Sequence, residues 1–230
     1  MDGHDAALVS VIIPTFNAAR YLGETLDSVL LQDWPAIEIL VCDDGSSDHS
    51  IKVARSAGER VRVDPGEHRG LAATRNRGIR LSRGEMLLHL DADDVLKPGA
   101  ISILMGWMAG GHDMVVGKFA NFISPDLPPE VASRYSVPAL PQSGHLSGTT
   151  LIRRSAFQTF GLLDEESGVG ADMAWCANAE KNGADIKRID DVVKRRRIHG
   201  GNMSLGNREE WAASALRTVR AALQQRRSKE

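Results

Sequence analysis

Apolar runs and helix-spaced stretches alternate through the first hundred residues. "LVSVIIP" (8–14) reads as a buried strand stopped by Pro14. In "AARYLGETLDSVLLQ" (18–32), Leu22, Leu26, Val29 and Leu30 recur at helical spacing. "IEILVC" (37–42) predicts a second strand, and the Asp and Ser residues of "DDGSSDHS" suit the start of a helix. A third strand is expected at "RVRV" (60–63), a helix in "GLAATRNRGIRLSRG" (70–84) and a fourth strand at "EMLLHL" (85–90). Strands separated by helices predict an α/β fold with a mostly parallel central sheet. Ligands bind such sheets beyond the carboxyl ends of the strands. The polar stretches Thr15 to Asn17, Asp43 to Ser47 and Asp91 to Asp94 all fall at that edge.

The second half is less regular. Residues 123–144 carry five of the nine prolines and read as one long loop over a binding face or a plain surface excursion. "HLSGTTLIRRSAF" (145–157) reads as a strand then a helix start, and "ADMAWCANAEKNG" (171–183) as a helix stopped at Gly183. "VVKRRRIHGGN" (192–202) reads as a strand ending in a turn. Beyond Asn207, Trp211, Ala215, Leu216, Val219, Ala222 and Leu223 share one helical face. That face is expected to pack on the domain or on a second copy in a homo-oligomer. Peripheral contact with an anionic membrane is the alternative, since arginines crowd the other faces. With no repeat and no linker, the 230 residues are expected to form a single domain.

Composition narrows the class. The chain is 42% hydrophobic and 25% charged, ordinary for a globular core, and its net charge of -2 gives no reason to expect nucleic acid. Cys42 and Cys176 match no metal or redox spacing and are expected to be free thiols. No segment approaches the ~18 consecutive apolar residues of a membrane span, and a signal peptide has no room before the first strand. A cytoplasmic setting is the expectation.

Three clusters carry chemistry. Asp91, Asp93 and Asp94 follow a buried strand, where hard oxygen donors suit Mg²⁺ or Mn²⁺; a solvated turn is the bland alternative. Asp43 and Asp44, before a Gly-Ser-Ser turn, can accept hydrogen bonds from a base or ribose, or cap the next helix. Arg75, with Asn76 beside it, can reach a phosphate or a carboxylate.

Taken in order, "VSVIIPTFNAARYLGETLDSVLLQ", "EILVCDDGSSDHS", "HRGLAATRNRGI" and "GEMLLHLDADDVLKPGAI" resemble the successive signatures of the family 2 glycosyltransferases. The likeness resumes in "SGTTLIRRSAFQTFGLLDEESGVGADMAWCANAEKNG" and "RRRIHGGNMS". It implies a GT-A fold, Rossmann-like in its nucleotide-binding half (about 1–105), an acceptor-binding and catalytic half (about 106–205) and a C-terminal helix (206–230). It also implies an inverting transfer from a nucleotide-diphosphate sugar, with UDP favoured, to a glycan, lipid or peptide acceptor. The nucleotide site implied comprises Pro14, Thr15, Asn17, Glu24, Asp43, Asp44, Gly45, Arg75, Asn76, Asp91 and Ala92. Asp91 and Asp93 match the family's DxD element and, with His199, would hold Mn²⁺ or Mg²⁺. Asp172 would be the base. The Glu that usually precedes it is Ala171 here, and Asn178 stands where relatives often carry arginine. Those two departures keep open a catalytically impaired, nucleotide-sugar-binding scaffold. A nucleotidyltransferase is disfavoured because "PTFNAARYL" replaces a glycine-rich phosphate loop.

Overall fold

The computed structural model describes residues 6–144, 147–167 and 170–202. In chain order the elements are β1 (Val9–Thr15), α1 (Leu22–Leu30), β2 (Ile37–Asp44), α2 (Ser50–Ser56), β3 (Val61–Gly66), α3 (Leu71–Leu81) and β4 (Met86–His89). There follow β5 (Val95–Leu96), α4 (Ala100–Met108), β6 (Met114–Ile123), α5 (Pro129–Ala132), β7 (Gln142–Ser143) and β8 (Thr150–Arg153). The last are α6 (Arg154–Phe160), a 3₁₀ turn (Glu165–Ser167), α7 (Ala171–Lys181) and β9 (Ile186–Ile198).

Among the described residues these strands form one sheet in the order β3-β2-β1-β4-β8-β6-β9-β5, with β7 on β6. The first four strands run parallel, and β6 pairs parallel with β9. β8 enters antiparallel between β4 and β6. Every residue of β1 is buried, as expected of a central strand covered on both faces. Pro14 does not stop β1, because β4 pairs only with Val9 to Ile12. Beyond Ile12 the missing proline N–H faces no partner strand on that side.

Two apolar clusters flank the sheet. One gathers α1 and α4 against Val11, Ile13, Val41 and Leu88. The other gathers α3, α6 and α7 against Ile12, Leu40 and Leu87. Helix α3 sits close to the sheet: a Cβ on Gly78 would lie 2.3 Å from Ile12 and 3.2 Å from the Cys42 sulfur. Both cysteines are free and buried.

Three features differ from the pattern-based expectation. Helix α4 and strand β6 are elements that the sequence pattern does not predict. Strand β9 begins at Ile186, before the expected 192, and is bulged against β6 around Lys118. The expected loop over 123–144 holds the single turn α5 and the short β7. The proposed C-terminal helix lies outside the described residues.

Candidate active site

The carboxyl ends of β1, β2 and β4 open into one cavity of about 1180 Å³. Pro14, Thr15 and Asn17 reach it from β1, Asp44 from β2, Arg75 from α3, and Asp91, Ala92, Asp93 and Asp94 from the turn after β4. Asp172 enters from the first turn of α7 and His199 from the end of β9. Residues more than a hundred positions apart thus meet at the edge that parallel topology favours.

Glu24, Asp43, Gly45 and Asn76 do not line this cavity. Glu24 accepts a hydrogen bond from the buried Arg197 guanidinium. Asp43 accepts from the Gly45 and Ser46 N–H groups at 3.1 and 2.9 Å, bracing the turn after β2. Asn76 is buried and exchanges hydrogen bonds with Leu163, donating also to Glu165, so it pins the segment leading to α7. Asn17, at a φ of 48°, accepts from the Ser47 and Asp48 N–H groups and staples β1 to the turn after β2.

Asp44 lines the cavity, yet its carboxylate is committed to the protein. One oxygen accepts from the Arg69 N–H and the Thr74 hydroxyl. The other accepts from the Gly70 N–H at 3.0 Å and faces the His68 Nδ1 at 2.9 Å. It therefore organises the entry to α3.

The three acids after β4 each have a basic partner. Arg75 donates from one terminal nitrogen to Asp91 at 2.7 Å and from the other to Asp172. His199 Nε2 lies 2.9 Å from Asp93 Oδ2. Lys194 donates to Asp94 at 2.6 Å, and the Arg197 N–H donates to its other oxygen. These partners offset the mutual repulsion of three neighbouring acids. Asp94, 2% exposed and bonded to β9, serves as a cross-tie between the acidic turn and that strand.

Burial and charge set the protonation of these groups. Burial alone would push Asp91 up, but Arg75 and Lys194 outweigh it and hold the carboxyl below its usual value. At Asp172 burial wins over Arg75, and the negative Asp91 adds to it, so its pKa is raised. Burial, opposed by Lys194 and assisted by Asp93 and Asp91, pushes Asp94 up to about 6. Burial beside Arg75 drives the His89 imidazole down to about 3, which keeps it neutral.

Asp93 and His199 bring one carboxylate and one imidazole together, while the bonded oxygen of Asp91 faces Arg75. Among the described residues no three His, Cys, Asp or Glu side chains cluster as a metal site. This donor set fits an ion held by few protein ligands and completed by substrate phosphate oxygens, a habit of Mg²⁺. It does not fit a closed cage.

Several contributors escaped sequence reading. Phe16, 49% exposed, stacks on His68 with ring centroids 4.3 Å apart, and both line the cavity. Tyr21 packs against the His199 ring at 4.6 Å. Of the three arginines before His199, only Arg196 lines the cavity. Arg195 lies over the Phe122 ring, and Arg197 is buried between the Tyr21 and Phe122 rings. Strand alternation within 194–197 is the signal that separates these roles. The two departures from the family pattern lie off the cavity. Ala171 is buried in the apolar cluster under α7, and Asn178 is exposed and bonded to Asn182.

Comparison with known proteins agrees with this geometry. The description of glycosyl transferase family 2 matches residues 10–169. A glycosyltransferase, GlyG, from Streptococcus pneumoniae serotype 4 is 35% identical over 124 residues, covering 52% of this chain and 41% of that protein. A chondroitin synthase from Escherichia coli is 33% identical over 101 residues, covering 43% of this chain and 15% of its own length. The chain thus spans less than half the length of these curated relatives. Among solved structures, a mannosyltransferase from Pyrobaculum calidifontis, in complex with GDP-Man and Mn²⁺, superposes with a TM-score of 0.72 at 20% identity. That match covers 97% of this chain and 66% of the other. Residues 1–349 of TarS from S. aureus, in complex with UDP-GlcNAc, give a TM-score of 0.69 at 21% identity, covering 85% and 60%. The fold is the mixed α/β GT-A fold that the sequence motifs implied. On the extent of the family match, the chain belongs to glycosyl transferase family 2.

Proposed function

We propose that this chain transfers a sugar from a nucleotide-diphosphate sugar to an acceptor hydroxyl with inversion, using Asp172 as general base. The observation that carries the reading is that Asp172 shares one cavity with Asp91, Asp93 and His199 at the carboxyl edge of the parallel strands. In this reading the nucleobase lies at the Phe16–His68 end, where an exposed aromatic face offers stacking. UDP is the favoured nucleotide. The solved relatives, one bound to UDP-GlcNAc and one to GDP-Man, support a nucleotide-diphosphate donor without choosing between the two bases.

Asp93 and His199, with Asp91 nearby, would hold Mn²⁺ or Mg²⁺. Such an ion, when bound, supplies Lewis-acid stabilisation of the departing diphosphate. Asp172 takes the proton of the acceptor hydroxyl, and that oxygen bonds to the anomeric carbon as the bond to the diphosphate breaks. Its raised pKa suits a group that must accept a proton. Phe119 of β6 and Gln142 and Ser143 of β7 also line the cavity and would shape the acceptor side.

Among the described residues no helix is long and apolar enough to cross a membrane. A panel of UDP- and GDP-sugars with Mn²⁺ and no acceptor tests the donor half of the reading. Slow release of the nucleotide diphosphate, suppressed by chelator and by Asp93→Ala, is expected. No release and no binding of any donor would refute it.

A further inference from the structure

We propose that Arg75 is a positioning residue that ties the base to the donor carboxylate through one shared guanidinium. The inference rests on the transfer reading above for its catalytic meaning, and on geometry for the link itself. Arg75 is 3% exposed, and its two terminal nitrogens go to different carboxylates, Asp172 on α7 and Asp91 after β4. The guanidinium is planar with its donors in a fixed fork, so it sets the separation and orientation of both acids. A lysine ammonium carries the same charge without that fork.

The anchor behind the fork is rigid. Gly78, three residues on, lets α3 lie against Ile12 and Cys42 with no space for even a Cβ, so the helix has little room to shift. Asn76, next to Arg75, makes three hydrogen bonds to Leu163 and Glu165 in the segment that leads to α7. Adjacent residues of one helix therefore hold both the approach to α7 and the carboxylate on its first turn. The base is templated by α3, and through Arg75 it is registered to the acid on the donor side.

Two experiments on the full chain test this. The first is a thermal-melt cycle in metal-free buffer with Asp91→Asn, Asp172→Asn and the double variant. Each single variant leaves the guanidinium one carboxylate, while the double leaves a buried cation without a counter-charge. The double should lower Tm by about 6 °C more than the sum of the singles. Additive losses would overturn the shared link, whatever the protein transfers.

The second experiment is kinetic. Arg75→Lys should lower kcat by about 10- to 100-fold through misplacement of the base, a larger factor than any accompanying rise in the Kd of UDP–Mn²⁺. Adding Asp172→Asn to Arg75→Lys should leave turnover within about 3-fold of Asp172→Asn alone, because Arg75 acts through Asp172. Multiplying losses would overturn the positioning role. If Arg75→Lys does not fold, the melt cycle decides alone. Failure of the wild type to bind or turn over any donor counts against the proposed function, and the melt cycle still decides the link.

Discussion

His199 Nε2 lies 2.9 Å from Asp93 Oδ2, joining the end of β9 to the turn after β4 across 106 residues of chain. Neither side chain is fully enclosed, and both line the cavity. A carboxylate and an imidazole so placed can turn from each other to a cation that arrives with its own phosphate oxygens. UDP with Mn²⁺ at about 100 times Kd should therefore raise Tm by about 5–10 °C. His199→Ala and Asp93→Ala should each remove most of that shift, as read by thermal melts with and without chelator. An equal shift in chelator would contradict the assignment.

Phe16 leads to a second prediction. Its ring lines the cavity, is about half exposed and is stacked on His68. Base–aromatic stacking contributes about 1–3 kcal/mol per base. Phe16→Ala should therefore weaken UDP binding by about 5- to 150-fold in calorimetric titration, while Phe16→Tyr should leave it near wild type. Unchanged affinity in Phe16→Ala would place the base elsewhere.

The Lys194–Asp94 pair is buried on both sides, with side chains 1% and 3% exposed. Removing one partner of such a pair strands a charge, so Lys194→Met should cost about 3–5 kcal/mol in denaturant unfolding. Lys194→Met with Asp94→Asn should recover most of that loss, because Asn keeps an acceptor for the Arg197 N–H. The pH dependence follows from the raised pKa of Asp94, about 6 against an ordinary 3.8. An acid raised on folding contributes stability fully below its unfolded pKa and loses it as pH rises through the folded value. Asp94→Asn should flatten that decline between 3.8 and about 6, as read from Tm against pH.

Much of the site was legible in sequence because buried strands announce their ends. The polar stretches opening at Thr15, Asp43 and Asp91 implied one shared edge; the structure puts Thr15, Asp44 and Asp91 on one cavity, while Asp43 braces the turn after β2. What stayed hidden depends on pairing between distant segments. The run of basic residues 194–197 looks uniform in sequence, yet pleating turns Lys194 and Arg196 to the cavity side, Lys194 bonded to Asp94, while Arg197 is buried. Strand β6 was obscured by Gly117 and Lys118, where its register with β9 shifts. Helix α4 is apolar on nearly every side and shows little helical periodicity. Glu24 and Asn76 sit beside legible motifs, but their side chains serve Arg197 and Leu163.

The raised pKa of Asp172 gives a directional expectation for catalysis. A base must be ionised to act, so activity should fall as pH drops through its pKa. The acid limb of kcat should lie above 3.8, the ordinary carboxylate value. A limb at or below that value would mean that a different group limits the rate.

The measurement closest to the central claim is the turnover of Asp172→Asn beside its donor affinity and its melt. Asparagine keeps the size of the side chain and an acceptor for Arg75 while removing the proton acceptor. As general base, Asp172 contributes about 10²–10⁴-fold, so sugar transfer per folded molecule should fall by that factor. UDP–Mn²⁺ should still bind. Transfer at near wild-type rate in a folded Asp172→Asn protein would contradict the account.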